Sequence, residues 1–483
     1  MIRVQGSSLQ SGAQLARRDF MQIGGASLLG LGLPDLLRAE ASGRKGKAKS
    51  CILLYLYGAP SQLETFDPKP NAPLEIRGEL GFTSTSVPGL TICDRLPRLA
   101  PVMNKVTVLR SVTHQHPIHG VAFATTGTPT IDVAMELAPR DSKHWPYIGS
   151  VVDFLGQSTR KPGAAPDNIA LPFPMSSQRT GEVQRAGPYP AFLGGAHAPI
   201  WTRFEGHGTV KAKKTLQKMT WEDFELYRGV SSDCRFSLGD TGSMVELDRL
   251  DQRMSLAQQL EAQLPAFNGS AAVDRQRSAA LDLLRSARVR EALDLRHEPD
   301  RMRQRYGMEL FGQGALAARR LVEAGSRFVS VFWDEYGLAG TGWDTHWDHF
   351  PRMKEELLPG LDNALSGLLI DLDDRGMLDE TLVVCLSEHG RTPRIQNVTG
   401  GGRDHWAQVY SVVMAGGGIA RGKVIGKSDK IGGTVAERAI SPKDILATIY
   451  HLLGFDPETT LLDRTGRPAP LVAGGHILTD ALA

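Results

Sequence analysis

A chain of 483 residues, 41% hydrophobic and 22% charged, has the make-up of a globular protein with a sizeable core, enough for one large α/β domain or two to three smaller ones. Its 55 Lys and Arg against 53 Asp and Glu leave a formal net charge of only +2. No basic stripe stands out, so nucleic acid is not an expected partner.

The amino terminus carries Arg17-Arg18-Asp19-Phe20-Met21, a small and apolar run over 23–33, and Ala39-Glu40-Ala41, after which cleavage would leave Ser42. This pattern is that of a twin-arginine export signal over 1–41, which makes the Tat machinery an expected partner and the periplasm or exterior the expected location. The apolar core is well below the roughly 18 residues that a spanning helix needs, and no other segment is long and apolar enough to span a bilayer, so no transmembrane span is expected in the mature chain. Residues 42–49 are small and basic, as in a solvated linker.

A folded domain is expected over 50–483. Residues 51–57, Cys-Ile-Leu-Leu-Tyr-Leu-Tyr, form a continuous apolar run of strand length that breaks at Gly58-Ala59-Pro60. The following loop carries Glu64 and Asp67. A second strand over 105–112 leads to His114, His116 and His119, three imidazoles in six positions. Their reading is either polar loop chemistry or convergence on a site. Residues 161–208 are rich in Pro, Gly and Ala and predict irregular loops, whereas 249–264 and 275–296 place leucines at helical spacing between charges. Together they predict an irregular and helical insertion over about 161–310. The α/β pattern resumes with a helix over 316–324, a strand over 328–333, a helix over 351–374 and the strand Thr381-Leu382-Val383-Val384-Cys385-Leu386. Of the four cysteines, Cys93 and Cys234 are the pair to test for a bridge, although no CxxC or dense framework is present.

Three segments concentrate carboxylates and imidazoles: Gly342-Trp343-Asp344-Thr345-His346-Trp347-Asp348-His349, Ser387-Glu388-His389-Gly390-Arg391 and Gly402-Arg403-Asp404-His405-Trp406. Asp, Glu and His are the ligands of zinc, manganese, calcium or a similar divalent ion, and the adjacent glycines let the backbone turn sharply. Each segment has a plainer reading: Trp343 and Trp347 as packing groups, Glu388 pairing with Arg391, His405 as a core histidine. Their joint density points to a shared metal site.

The order of these motifs resembles the alkaline phosphatase superfamily, which includes sulfatases, phosphodiesterases and cofactor-independent phosphoglycerate mutases. More closely, Arg17-Arg18-Asp19-Phe20, Glu64-Thr65-Phe66-Asp67-Pro68, Gly342 to His346, Ser387 to Pro393 and Gly402 to Trp406 are similar to a sulfatase-like bacterial family of unknown function with twin-arginine leaders. Ser441-Pro442-Lys443-Asp444 is similar to the start of the closing helix of sulfatases. The resemblance implies a central, mostly parallel sheet flanked by helices. It implies metal ligands at Asp344, His346, Glu388 and His405, with His389 beside Glu388 and Asp404 orienting or ligating. Where the superfamily's first strand ends in an aspartate this chain has Tyr57-Gly58, so that Asp67 substitutes from farther along or one metal site is missing.

A formylglycine nucleophile is not expected, because His116-Pro117-Ile118-His119 stands where sulfatases carry the modified Cys or Ser. The implied reaction is hydrolysis of a phosphate or sulfate ester by metal-activated water. His116 or His119 would act as general acid, Arg391 or Arg403 would neutralise the anion, and Thr113 and Thr126 are fallback nucleophiles. The implied substrate is an anionic small-molecule or polysaccharide ester. The alternative is a non-catalytic exported binding or surface-assembly protein that keeps the fold.

Overall fold

The computed structural model describes residues 46–117, 122–128, 141, 143–157, 159–160, 164–175, 188–216, 219–225, 227–238, 286–333, 336–337 and 340–483. The export signal over 1–41, His119 and most of the segment expected to be helical over 249–296 lie outside them.

Nine strands form one mixed sheet: β1 (Ser50–Tyr55), β2 (Val106–Val112), β3 (Asn168–Leu171), β4 (Ile200–Glu205), β5 (Arg235–Leu238), β6 (Phe328–Phe332), β7 (Thr381–Leu386), β8 (Tyr410–Ala415) and β9 (Lys423–Ile425). Their order across the sheet is β9-β2-β8-β7-β1-β6-β3-β4-β5. The central run from β7 to β4 is parallel, and β8 and β5 are antiparallel to their inner neighbours. Every residue of β1 is buried, which is why its sequence is continuously apolar rather than alternating.

Alternation survives in what the side chains touch. Ile52 and Leu54 pack into the layer built by α2 (Leu310–Glu323) and α3 (Leu358–Asp374). Cys51, Leu53 and Tyr55 pack into the opposite layer with α1 (Ile148–Gly156) and α4 (Pro442–Leu452). Each such Leu or Ile contributes about 1.5–3 kcal/mol by leaving water. Helix α4 starts where the sequence says it must. Pro442 takes its first turn, the Ser441 hydroxyl accepts the Lys443 N–H at 3.2 Å, and the Asp444 carboxylate accepts the Ser441 N–H at 2.8 Å.

Within the stretch expected to be irregular and helical over 161–310, the described residues supply three strands of the main sheet, β3 to β5, a hairpin of Lys211–Leu216 with Met219–Phe224, and the short helices Ala287–Leu293 and Asp300–Tyr306. Asn-Ile-Ala-Leu in β3 is too short to announce itself between prolines, and its pairing with β6 comes from a partner some 160 residues away in sequence. The candidate pair Cys93 and Cys234 is not bridged. All four thiols are free and buried, and the Cys234 sulfur accepts from the Arg303 guanidinium at 2.7 Å. Among the described residues no helix is long and apolar enough to cross a membrane.

Candidate metal centre

Parallel sheets build sites beyond the carboxyl ends of their strands. Here β1 runs into Tyr57-Gly58, β6 into the segment that reaches Asp344 and His346, and β7 into Ser387 to Arg391. Two backbone contacts draw these loops together. The Trp343 N–H donates to the Tyr57 carbonyl at 3.0 Å, and Gly390–Arg391 pairs as a short antiparallel ribbon with His405–Trp406.

The result is a cluster of three ligand atoms. Asp344 Oδ1 lies 3.0 Å from His346 Nε2 and 3.4 Å from His405 Nε2, and the two imidazole nitrogens are 3.1 Å apart. Among the described residues, Asp344, His346 and His405 are the group whose donor atoms converge closely enough to hold an ion. The spacings match the edge of a tetrahedron whose centre lies about 2.0–2.1 Å from N or O donors, close to 3.3 Å. All three side chains are half-buried, so solvent and solutes reach them.

The outer nitrogens strengthen the fit. His346 Nδ1 meets Asp404 Oδ1 at 2.7 Å, His405 Nδ1 meets the Pro117 carbonyl at 3.1 Å, and His389 Nδ1 meets the Gly390 carbonyl at 2.8 Å. Each partner is an acceptor, so each Nδ1 carries the proton and each neutral ring keeps its lone pair on Nε2. A carboxylate or carbonyl behind the ring is the usual support of a metal-ligating histidine. Gln396 donates in turn to Asp404 Oδ2, and the His389 ring lies 4.7 Å from that of His405. Hydrogen bonding to Asp344 holds the His346 pKa above the ordinary imidazole value, so a proton and a cation compete for the same nitrogen.

The other expected residues are placed differently. Glu388 stands just past β7, and its Oε1 accepts the Gly58 N–H at 2.8 Å. Asp67 lies in a separate charged group, 2.9 Å from Lys69 Nζ and 3.5 Å from Arg110 Nε, and also accepts from Ser428. Arg391 is fully buried and donates to the carbonyls of Ala59 (3.0 Å), Arg403 (3.1 Å) and Gly58, as well as to Asp344 Oδ1 at 2.6 Å. Arg403, equally buried, donates to the Thr392, Pro393 and Ile76 carbonyls and to Glu64 Oε1. Both guanidiniums thus face protein acceptors. Thr113 places its hydroxyl 3.4 Å from the Ala407 carbonyl, and the Thr126 hydroxyl accepts the Thr128 N–H.

The loop with His114 and His116 does reach the site, since Pro117 supports His405. The His116 ring packs on His114 and edge-on to Phe123. His114 Nδ1 accepts the His116 N–H, and Nε2 donates to the Glu388 carbonyl at 2.7 Å. Burial lowers the His114 pKa to about 4, below its value in an unfolded chain. The unfolded state therefore binds more protons between pH 6.5 and 4. Stability from this residue is complete above pH 6.5 and falls, by up to about 3 kcal/mol, as pH drops through that window. Urea unfolding of metal-free protein at pH 7 and pH 4.5 should show this slope, and His114→Gln should flatten it. An unchanged slope in the variant would mean that other groups set the acid sensitivity.

No curated protein matches the sequence. Solved structures similar to the chain include Ps i-CgsB, at 10% identity and a TM-score of 0.38 over 84% of this chain and 72% of that one. The PsFucS1 sulfatase from Pseudoalteromonas sp. has 12% identity and a TM-score of 0.32 over 91% and 72%. The phosphonate monoester hydrolase SpPMH from Silicibacter pomeroyi has 12% identity and a TM-score of 0.32 over 91% and 76%. The family model that matches covers residues 48–482, essentially the whole described domain, and the chain belongs to that family, protein of unknown function (DUF1501).

Proposed function

We propose that the chain is an exported, metal-dependent hydrolase of phosphate or sulfate esters. The observation that carries this reading is the pair of imidazoles His346 and His405, each tied through Nδ1 to an acceptor, beside the Asp344 carboxylate oxygen at tetrahedral-edge spacing. Asp344, His346 and His405 would hold the ion, with His389 and Glu388 adjacent. When bound, a divalent cation supplies Lewis acidity towards an ester oxygen. The chain's own part is positioning: Arg391 orients Asp344, and Asp404 orients His346. His116, on the loop whose Pro117 carbonyl supports His405, would serve as general acid towards the leaving group.

Room for the rest of a substrate lies along the same edge of the sheet. A cleft of about 670 Å³ opens past the ends of β3 and β4, lined by Phe173, Phe204, Phe224 and Tyr227 with Arg203 and His207. Phe224 is 52% exposed, with Lys211 Nζ 5.3 Å from its ring centroid, so one cation already approaches the ring that a substrate would meet. Phe224→Ala is expected to raise KM for a sulfated oligosaccharide about tenfold, equivalent to one stacking contact, and to leave a small aryl ester unaffected. Equal effects on both substrates would remove the cleft from the substrate path.

The test of the function is elemental mass spectrometry on the purified full-length chain. It is followed by assays of aryl phosphate, phosphodiester and aryl sulfate hydrolysis after loading with zinc, manganese or calcium. Absence of stoichiometric metal after loading would sink the hydrolase reading. The inward-facing Arg391 and Arg403 favour a second reading, an exported binding protein with a structural metal. Stoichiometric metal without turnover of any ester class would leave that one standing.

A further inference from the structure

Three loops that leave three different strands meet on one buried carboxylate, away from the ligand cluster itself. Glu64, from the loop after β1, receives the Arg403 guanidinium on Oε1 at 2.5 Å and stands 3.3 Å from His349 Nε2 through Oε2. His349 Nδ1 is 2.7 Å from the Thr345 hydroxyl. All four residues are essentially inaccessible to solvent. With the Glu64 carboxylate 3.3 Å from Nε2, which favours the proton there, the Nδ1 side accepts the Thr345 O–H.

The sequence positions of these residues give the group its meaning. Thr345 lies between Asp344 and His346, and Arg403 immediately precedes Asp404 and His405. The Arg403 N–H also donates to the Thr345 carbonyl at 3.1 Å. Each ligand-bearing loop therefore has a buried neighbour linked to the same glutamate, Arg403 directly and Thr345 through His349. While Thr345 turns inward to His349, Asp344 and His346 turn to the cluster.

We propose that Glu64, Arg403, His349 and Thr345 form a buried clamp that sets the spacing between the Asp344–His346 loop and the Asp404–His405 loop. These four are positioning residues, none of which touches the site. The proposal rests on the metal-centre reading. Burial pushes the Glu64 pKa up, but the Arg403 charge and the adjacent His349 ring more than offset it and bring it down to about 2, so the carboxylate is ionised across the working pH range. Supporting groups of this kind typically govern 10–100-fold of metal affinity, because ligands held loosely must be ordered by the ion.

The experiment is a cobalt(II) titration of the full-length chain, read by calorimetry and by the visible spectrum, on wild type, Thr345→Val, Thr345→Ser, His349→Gln and Glu64→Gln. Thermal melting of each metal-free protein runs alongside. Thr345→Val keeps the shape and removes one hydroxyl, so it carries the test even where Glu64→Gln does not fold. We expect Thr345→Val and His349→Gln to bind cobalt about 10–100-fold more weakly with altered bands. Thr345→Ser should recover both. Folded variants with wild-type affinity and spectrum would overturn the clamp, as would a loss of melting temperature with no loss of affinity. A wild type that binds no cobalt would fell the metal-centre reading and the clamp with it, a result distinct from indifferent variants on a wild type that binds.

Discussion

Replacing His346 with alanine is expected to abolish binding of the proposed metal and, with it, the proposed ester hydrolysis. One of three converging ligand atoms is lost, and the two that remain, on Asp344 and His405, sit 3.4 Å apart with Arg391 competing for Asp344. Metal affinity should fall by more than about 100-fold, beyond what loss of a supporting partner costs. Asp404→Asn, which keeps the ring but weakens its support, should fall in the 10–100-fold band. Neither change should unfold the domain. His346 and Asp404 are only part-buried and lie outside the hydrophobic core, so each lost hydrogen bond costs only about 0.5–1.5 kcal/mol. Elemental analysis after dialysis, paired with thermal melting, separates the outcomes. Retention of stoichiometric metal by His346→Ala would place the centre elsewhere.

Acid should act on the wild type through the same nitrogen. Because the His346 pKa is held up by Asp344, protons displace the ion as pH falls through and below that raised value. Weaker binding at pH 6 than at pH 8 is the expected sign.

The strands that seat this centre were legible because they are buried on both faces. Residues 51–57 and 381–386 read as unbroken apolar runs, and the structure places β1 at Ser50–Tyr55 and β7 at Thr381–Leu386. Strands β3 and β4 were not, since four to six residues among prolines and glycines carry no period of their own. β3 takes its place from β6, about 160 residues later in the chain, and β4 pairs in turn with β3 and β5. The same division runs through the site. Density of Asp and His marked Asp344, His346 and His405. It could not reveal that Arg391 and Arg403 turn inward, because that depends on which carbonyls surround them. Nor could it pair Glu64 with Arg403 across 339 positions. Local composition nominates ligands, whereas their supports are non-local.

Gly58 is where that non-local logic is most exposed. The superfamily that the chain resembles ends its first strand in an aspartate, and restoring one with Gly58→Asp is expected to damage the site rather than complete it. A Cβ at this position would come within 2.8 Å of the Trp343 nitrogen and closer still to that of Asp344, both backbone atoms with no room to yield. The residue also has φ of +96°, which strains any side chain. Its N–H serves Glu388 and its carbonyl serves Arg391, so a shift here moves the acid past β7 and the guanidinium behind Asp344 together. Clash and strain together predict a loss of about 2–6 kcal/mol for both Gly58→Asp and Gly58→Ala. Urea unfolding would measure it, with cobalt affinity measured in parallel. The alanine variant separates geometry from charge. If it matches wild type in both stability and affinity while the aspartate binds more metal, the position is a vacant ligand site. If both lose stability and affinity together, the glycine is there because the Trp343–Asp344 backbone occupies the space an aspartate would need.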